Sequence, residues 1–259
     1  MSLHIISFGA GVQSTALILL ALHGDIKADC AVFADTGWEP RAVYDHLERM
    51  KSFATSHGFP IHTVSKGYSI RDLALNQTPT SGRPPLYIVG EDGKNGMIRR
   101  QCTQTFKIEP IRARIRYLLK ETGNRHATQL LGISTDEVQR VRHSNVKYIK
   151  NAYPLIDLGM SRADCVAYLS EHGIEAPRSA CIGCPFHSDN EWRRLRDESP
   201  DEWRDAAEWE WQLQQNGLGL RGTPYLHRQR VPLYQVDLST REDHGQMTFD
   251  DECAGVCGV

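Results

Sequence analysis

The sequence predicts an α/β protein with a doubly wound, mostly parallel sheet and a helical, cysteine-containing C-terminal appendage. Two observations predict this fold. Short apolar runs alternate with longer helical segments up to residue 175, which is typical of parallel strands joined by helices. After that point the sequence changes to a Cys-rich loop and a Trp-studded helical stretch. We therefore expect a main α/β domain over residues 1–175 and an appendage over residues 176–259 that packs on it.

The first elements are two units of strand followed by helix. LHIISF, residues 3–8, is an apolar run that ends at glycines, and VQSTALILLAL after it has helical periodicity. A second strand ends at Asp35, and a helix follows it over residues 41–58. IHTVS, residues 61–65, is the third strand candidate. Residues 76–97 lack periodicity and are too long for a plain connection, which indicates a lid or a substrate loop.

The later elements continue the alternation. A helix is predicted over residues 107–123, a strand over 127–134 and a short helix near 136–142. Ser161 is a good N-cap for a helix that ends near Gly173. The Trp-studded stretch is broken near Pro200, and packing of the appendage explains its tryptophans better than stacking on bases does. Cys30 and Cys165 are predicted to be core residues, because each belongs to an apolar strand or helix face.

Composition and charge limit the possible functions. The formal net charge of the 259 residues is -2, so a polynucleotide partner would need a local basic face. Residues 112–120 and 140–150 are basic stretches that could form one, although a solvated surface is the simpler explanation. Because no apolar run is long enough to span a bilayer and no secretory leader is recognisable, we expect a cytoplasmic protein without a membrane partner. Seven cysteines, an odd number, favour thiol or metal chemistry over a disulfide framework.

The segment SFGAGVQST, residues 7–15, joins the first strand to the first helix. Gly9 and Gly11 allow a ligand to approach the backbone, and the helix N-terminus offers unpaired N–H groups and the positive end of its dipole. Ser7, Ser14 and Thr15 add hydroxyl donors. This combination suits polyphosphate, although the segment lacks both the Gly-Lys-Ser/Thr ending of the common P-loop and the dinucleotide fingerprint. A tight turn without a ligand is the alternative.

Four further motifs follow this loop along the chain. They are ADTGWEP, QCTQTFKIEPIR, LGISTDEVQR, and YPLIDLGMSRADCVAYLSEHGI followed by CIGCP. In this order the five segments resemble the phosphoadenosine phosphosulfate reductase-like family of the adenine nucleotide alpha-hydrolase superfamily, whose members include the PP-loop ATP pyrophosphatases. Phe8 and Gln13 depart from the Gly and Asp of the family's loop, Ser-Gly-Gly-x-Asp-Ser. The resemblance covers most of residues 3–187.

The resemblance implies an α/β domain that binds an adenine nucleotide, either ATP with magnesium or a sulfonucleotide. The residues implied in nucleotide or phosphate binding are Ser7, Gly9, Gly11, Gln13, Ser14, Thr15, Asp35, Thr36, Gly132, Asp136, Glu137 and Arg140. Asp35 also stands where a strand of a doubly wound sheet ends, so we predict a catalytic role for it. Helix capping or a turn is the alternative for Asp35, and acids in a first helical turn, such as Asp136 and Glu137, need no ligand.

Cys181 and Cys184 form a Cys-x-x-Cys pair in the loop CIGCP. This spacing serves zinc, iron–sulfur clusters and redox disulfides alike. Cys102 is the best third ligand, because its basic neighbours favour a thiolate and the family places cluster cysteines there. Gln101 stands where the cluster-bearing sulfonucleotide reductases have a second cysteine. With the resemblance we predict a 4Fe-4S cluster on these three cysteines, and zinc is the alternative.

The chain ends in ECAGVCGV, residues 252–259. Its Glu252-Cys253 resembles the segment that carries the catalytic cysteine of sulfonucleotide reductases, although a second cysteine follows and no histidine does. We predict that Cys253 and Cys257 are catalytic thiols that form a persulfide and resolve it as a disulfide, while incidental thiols are the alternative. The fourth ligand of the metal site is predicted to be His187, Cys257 or an open position.

Three functions remain after these observations. The first is an ATP pyrophosphatase that adenylates an acceptor for sulfur transfer from a separate sulfur donor. The acceptor is a nucleobase, tRNA, DNA or a small metabolite, since tRNA thiolation and DNA phosphorothioation enzymes belong to the same superfamily. The second is a sulfonucleotide reductase that uses Cys253 and a thioredoxin-like reductant to release sulfite. The third is a non-catalytic nucleotide-binding module with structural zinc.

Overall fold

The computed structural model describes residues 2–75, 82–215, 220–239 and 243. Its strands are β1 Ser2–Phe8, β2 Cys30–Asp35, β3 Ile61–Ser65, β4 Tyr87–Val89, β5 Asn95–Met97, β6 His126–Leu131, β7 Ile149–Ala152 and β8 Thr223–Tyr225. Its α-helices are α1 Val12–His23, α2 Arg41–Ser56, α3 Ile70–Leu75, α4 Glu109–Thr122, α5 Pro154–Asp157, α6 Arg162–Glu171, α7 Asp189–Glu198 and α8 Pro200–Gln215. A π-helical segment, Thr103–Ile108, precedes α4, and 3-10 helices cover Thr135–Arg140 and Leu233–Gln235.

Five strands form a parallel sheet in the order β3-β2-β1-β6-β7. Alternate residues of β1 face opposite sides of this sheet, so Ile6 packs in the apolar cluster that contains α1 and α2, while Ile5 packs in the cluster that contains α4. Helices on both faces confirm the predicted doubly wound α/β fold. The chain returns to the centre of the sheet after β3 and adds β6 beside β1, which opens a crevice at the carboxyl ends of these strands.

Most of the predicted elements are confirmed. The Ser161 side chain accepts a hydrogen bond from the Asp164 N–H (3.1 Å) and caps α6. A single residue, Ser199, separates the end of α7 from the start of α8 at Pro200. Cys30 and Cys165 are core residues, and burial raises the pKa of each thiol to about 12. The predicted helix near residues 136–142 is instead a 3-10 helix that ends at Arg140, because Glu137 has non-helical dihedral angles.

The prediction of an unstructured loop over residues 76–97 was wrong in its second half. β4 and β5 form a hairpin there, and β8 pairs with the other edge of β4 to complete a small antiparallel sheet. A tight turn explains the hairpin: Gly93 has a φ of 75°, and the Gly90 N–H donates to the Lys94 carbonyl (2.8 Å). Residues 76–81 lie outside the described residues.

The helical appendage shares a core with the main domain. Trp209 of α8 and Trp192 of α7 are fully buried in a cluster that also contains Trp38 and Phe106, and the rings of Trp38 and Trp209 lie 4.7 Å apart. This packing confirms the expected role of these two tryptophans. The boundary at residue 175 stays a prediction. Among the described helices, none has the length and apolar character needed to cross a membrane.

One buried histidine makes stability depend on pH. His46 of α2 is 1 % exposed, and its Nε2 lies 2.9 Å from the Thr15 hydroxyl at the start of α1. Burial, together with the charge of Arg49, lowers the pKa of His46 to about 4. As the pH falls below about 6.5, His46 therefore becomes protonated in the unfolded chain but stays neutral in the folded chain. The stability that depends on neutral His46 is fully present above about pH 6.5 and is lost as the pH falls toward 4.

We expect the free energy of unfolding of the wild type to fall by about 2 kcal/mol more than that of His46→Gln between pH 6.5 and pH 5. Glutamine keeps an N–H donor for Thr15 but does not titrate. Urea unfolding of both proteins at several pH values measures the difference. Parallel pH profiles for the two proteins would contradict the assigned role of His46.

Candidate active site

A cleft of about 410 Å³ lies at the carboxyl ends of β1, β2 and β6. Its lining includes the glycine loop after β1, the segment after β6, the π-helical segment with the start of α4, and the loop that leads into the Cys-x-x-Cys turn. Most of the predicted nucleotide-binding residues line this cleft, namely Ser7, Gly9, Gly11, Gln13, Ser14, Gly132, Asp136, Glu137 and Arg140. The fold therefore brings together residues that are up to 133 positions apart in the sequence.

The glycine loop is held in shape by Ser14. The Ser14 hydroxyl accepts hydrogen bonds from the N–H groups of Gly9 (3.2 Å) and Gly11 (3.3 Å) and donates one to the Gly11 carbonyl (3.1 Å). Ala10 between them has a φ of 56°, a conformation that is rare outside glycine and common at functional sites. The loop is thus pre-shaped at the N-terminus of α1, with the positive end of that helix dipole facing the cleft.

A second set of contacts holds the glycine loop against the segment that follows β6. A Cβ on Gly132, just after β6, would lie only 3.0 Å from the Ser14 nitrogen and 3.1 Å from the Gln13 carbonyl carbon. Only glycine allows β6 and the glycine loop to approach this closely. The Gln13 side chain donates to Glu137 (3.1 Å), and Glu137 is ion-paired with Arg140. The two predicted motifs are therefore joined directly.

The cleft favours an anionic ligand. Among the described residues its lining contains five basic side chains and two acidic ones. The basic residues are Lys107, Arg112, Arg140, Arg162 and Arg178. The acidic Glu137 already interacts with Gln13 and Arg140, and Asp136 accepts from the Arg162 N–H (3.1 Å). Lys107, Arg140 and Arg178 are themselves ion-paired with Glu39, Glu137 and Glu191, so the excess of positive charge is modest. Together with the positive end of a helix dipole, it gives an environment that suits phosphates.

Three predicted residues do not line the cleft. The Asp35 carboxylate accepts hydrogen bonds from the Gly37 N–H and the Tyr44 hydroxyl, both at 2.8 Å, and burial and that carboxylate raise the pKa of Tyr44 well above its usual value. Thr15 donates to the Gly11 carbonyl (2.9 Å), and the Thr36 hydroxyl donates to Glu39 (2.9 Å). These geometries correspond to turn and helix-start roles, so they give no support to a catalytic Asp35.

The Cys-x-x-Cys turn closes one end of the cleft. Cys184 lines the cleft, and its N–H donates to the Cys181 carbonyl (3.1 Å) to form the turn. Gly183 packs directly against Trp38, because a Cβ added to Gly183 would lie only 2.1 Å from the indole ring. The Ile182 N–H donates to the Trp38 carbonyl (3.0 Å). The turn is thereby held against the loop that follows β2.

A buried carboxylate connects this turn to the cleft. Glu39 is 3 % exposed, and its Oε1 lies 2.9 Å from the Thr36 hydroxyl, 3.6 Å from the Cys181 sulfur and 3.6 Å from Lys107 Nζ. Its Oε2 is buried without a hydrogen-bond partner among the described residues. Because a buried charge needs compensation, Lys107 is held next to the turn while it also lines the cleft.

The three predicted metal ligands lie on two segments of the chain, and their role as ligands stays a prediction. Within the described part of the chain, no three His, Cys, Asp or Glu side chains lie close enough to hold one metal ion. Cys102 begins the π-helical segment that carries Lys107, and Cys184 lines the cleft. Three thiols on two adjacent loops are a donor set suited to iron–sulfur ligation.

His187 is hydrogen-bonded to the turn itself, and its role as fourth ligand stays a prediction. Its Nε2 lies 3.0 Å from the Cys181 carbonyl oxygen, and its Nδ1 lies 3.3 Å from the Glu191 carboxylate. A carbonyl oxygen only accepts, so Nε2 carries hydrogen and has no lone pair for a metal. His187 braces the backbone of the turn. Cys253 and Cys257 lie outside the described residues, so their predicted roles stay predictions.

Sequence reasoning missed the wall opposite the glycine loop. Ser179 lies against that loop, since a Cβ on Gly11 would be 2.7 Å from its hydroxyl oxygen. Arg178 lines the cleft and is ion-paired with Glu191 (2.6 Å). Both residues precede CIGCP by only a few positions. The signal available in the sequence was Arg178, a basic residue close to the predicted metal-binding turn. Lys107 in the motif QCTQTFKIEPIR was a second such signal.

Comparisons with known proteins identify the family of the chain. No curated protein matches the sequence. Among solved structures, the U34-tRNA thiolase NcsA from Methanococcus maripaludis, solved with its 4Fe-4S cluster, is similar at 12% sequence identity and a TM-score of 0.45. That similarity covers 81% of this chain and 72% of NcsA. The model of the phosphoadenosine phosphosulfate reductase domain matches residues 4–178, more than half of the chain. The chain therefore belongs to the phosphoadenosine phosphosulfate reductase domain family.

Proposed function

We propose that this protein is a PP-loop ATP pyrophosphatase that adenylates an acceptor and prepares it for sulfur transfer. One observation carries the proposal: Cys184 lines the same cleft as the glycine loop and its five cations. A phosphate-binding loop and a cysteine site within one cleft allow activation and sulfur chemistry to occur on one bound substrate.

The residues of the cleft have distinct roles in the proposed reaction. The glycine loop and Lys107 bind the β- and γ-phosphates of ATP, with magnesium as the accompanying ion. An acceptor oxygen attacks the α-phosphorus, the bond to pyrophosphate breaks, and the adenylated acceptor remains. A sulfur nucleophile then displaces AMP from the acceptor. Arg140 and Arg162 on the far side stabilise the negative charge that develops on the leaving phosphates.

Cys102, Cys181 and Cys184 would hold the 4Fe-4S cluster. When bound, such a cluster supplies an iron that can bind sulfur or transfer electrons. Glu39 and Thr36 keep the Cys181 sulfur oriented, and Glu39 holds Lys107 between the turn and the cleft. The sulfur donor of the proposed reaction is a separate protein or small molecule.

A sulfonucleotide reductase is the second candidate, because the matching family model is that of the phosphoadenosine phosphosulfate reductase domain. In that reaction a cysteine thiolate attacks the sulfur of the bound sulfonucleotide, and the adenosine phosphate leaves. A thioredoxin-like reductant then releases sulfite. This candidate is less favoured, because Gln101 stands where the cluster-bearing reductases have a second cysteine.

Nucleotide preference distinguishes the two candidates. We expect calorimetric titration of the anaerobically purified protein to show tighter binding of ATP with magnesium than of phosphoadenosine phosphosulfate. Pyrophosphate release from labelled ATP is expected only when an acceptor, such as bulk RNA or DNA, is present.

Lys107→Ala is expected to weaken ATP binding by about tenfold. Lys66→Ala is the control, because the ion pair of Lys66 with Glu109 lies outside the cleft. Sulfite release that depends on thioredoxin would contradict the first proposal and support the reductase.

A further inference from the structure

The fold joins two basic stretches that are separate in the sequence. Arg112, Arg116 and Lys120 occur at intervals of four residues and therefore share one side of α4, along about 12 Å of helix. The Arg112 guanidinium donates to the Asn145 side chain (2.5 Å), which brings residues 142–147 alongside this helix. We define the basic rim as Arg112, Arg116, Lys120, Arg142, His143 and Lys147.

The rim lies on one side of the edge strand β7. Ile149 packs in the same apolar cluster as α4, and side chains alternate along a strand, so Lys150 faces the other side of the sheet and is not part of the rim. The other flank of α4 is different, since Arg114 contacts His62 there. The rim is therefore a continuous surface formed by one helix side and one connecting segment.

The exposed cations of the rim form no salt bridge with any carboxylate in the described part of the chain. Residues 138–156 contain no Asp or Glu. Apart from Arg112, all rim residues are exposed. No salt bridge joins them to a carboxylate of the described residues, and the Arg142 guanidinium donates to the backbone carbonyls of Gln139 and Val141. Arg112 acts on Glu109 of the same helix and helps to lower the pKa of that carboxyl. Some exposed cations elsewhere on the surface do have carboxylate partners, as in Arg41 with Asp45 and Arg204 with Asp201. Like charges so placed repel one another, and a polyanion would relieve that repulsion.

The rim leads directly into the cleft. Arg112 belongs to both, and Arg140 of the cleft lining stands two residues before Arg142 of the rim. Asn151 of β7 and Gln129 of β6 pair in register and line the cleft floor beside Arg112. A polymer bound along the rim therefore has a polar path toward the nucleotide loop.

We propose that the basic rim binds the phosphodiester backbone of a nucleic acid and directs one of its nucleotides into the cleft as the acceptor. This inference rests on the proposed function, because it names the acceptor class of that reaction. Three cations about 6 Å apart along about 12 Å of helix cover a length that holds roughly three to four phosphates of one duplex strand, at about 3.4 Å per phosphate. The amides of Asn151 and Gln129 can donate to and accept from a base edge.

Charge reversal with a matched control tests the rim. The test variant is Arg116→Glu with Lys147→Glu, and neither residue lines the cleft. The control is Lys27→Glu with Arg49→Glu: Lys27 lies in the loop before β2, and Arg49 belongs to α2, which packs on the opposite face of the sheet. Each substitution replaces +1 by -1, so both double variants lower the net charge by four. Fluorescence anisotropy with a labelled 20-nucleotide RNA and a 20-base-pair DNA measures affinity as a function of salt.

We expect the wild type and the control to bind at least one probe with a steep salt dependence. The rim variant is expected to bind about tenfold more weakly, with a slope of log affinity against log salt that is lower by about 1.5. Equal losses in both double variants, or no binding by the wild type at 0.1 M salt, would overturn the proposal. Displacement of the probe by poly-glutamate as effectively as by RNA would also overturn it and indicate an acidic protein partner.

ATP titration and iron analysis of the same preparations separate this inference from the proposed function. If nucleic-acid binding depends on the rim but the protein binds neither ATP nor iron, the nucleic-acid surface is supported and the sulfur-transfer proposal is refuted. ATP binding and iron without rim-dependent binding would refute the surface alone. The rim variant is expected to keep the ATP affinity of the wild type, because its substitutions lie outside the cleft.

Discussion

Cys184→Ala is expected to abolish iron binding. Wild-type protein purified without oxygen should contain about four irons and four sulfides per chain, and both Cys102→Ala and Cys184→Ala should retain less than one. A cluster with three cysteine ligands loses a third of its protein bonds with each substitution, and the Cys-x-x-Cys turn brings the second and third ligands together. Iron, acid-labile sulfide and zinc analysis, with the visible absorption spectrum, measure the result.

Cys165→Ala is the control for this experiment. It also removes one thiol, but Cys165 of α6 is fully buried in the apolar cluster that contains α1 and does not line the cleft. Its iron content is expected to match that of the wild type, although the protein is expected to unfold at a somewhat lower temperature. One zinc per chain and no sulfide in the wild type would refute the cluster, and so would unchanged iron in Cys184→Ala.

Gly132→Ala is expected to have the second largest effect, on nucleotide binding. Its Cβ would press on the backbone of Gln13 and Ser14 at 3.0–3.1 Å, and backbone cannot rotate away as a side chain can. Either the glycine loop or β6 must move. Overpacking of this kind costs about 1–3 kcal/mol, which corresponds to a ten- to hundredfold higher Kd for ATP if the cost falls on the binding conformation.

Gly96→Ala is the matched control, because no atom lies within 4 Å of its Cβ position and its φ is not in the left-handed region. Calorimetry with ATP and magnesium, together with thermal unfolding, separates a loss of binding from a loss of folding. If Gly132→Ala bound ATP as tightly as Gly96→Ala does, the glycine loop would not be the phosphate site. A lowered unfolding temperature with unchanged affinity would lead to the same conclusion.

Local patterns predicted the fold well because each depends on short stretches of chain. Apolar runs such as residues 30–35 have only one way to be buried on both faces, which is as a central parallel strand. The helix cap at Ser161 and the break at Pro200 follow from backbone chemistry alone. The hairpin of β4 and β5 was missed because its strands have three residues each, so they show no alternation, and they are stabilised by pairing with the distant β8.

The candidate site was predicted in its parts but not in its arrangement. Asp35 and Thr36 occupy a strand end, where functional residues concentrate, yet their side chains satisfy neighbouring groups of the same loop. Glu39 could not be recognised, because its importance comes from burial beside Cys181 and Lys107. The same holds for Ser179, whose contact with Gly11 joins two segments that lie far apart in the sequence.

The sequence by itself determined the doubly wound sheet, the phosphate-type loop and the cysteine pair, since periodicity, glycine spacing and Cys-x-x-Cys are local features. Tertiary structure alone decided which of these features share a cleft, that five cations line it, and that the basic stretches of α4 and residues 142–147 form one rim. The physical reason is that a side chain's charge and hydrogen bonds act over a few ångströms. Which groups come within that distance depends on the packing of the whole chain.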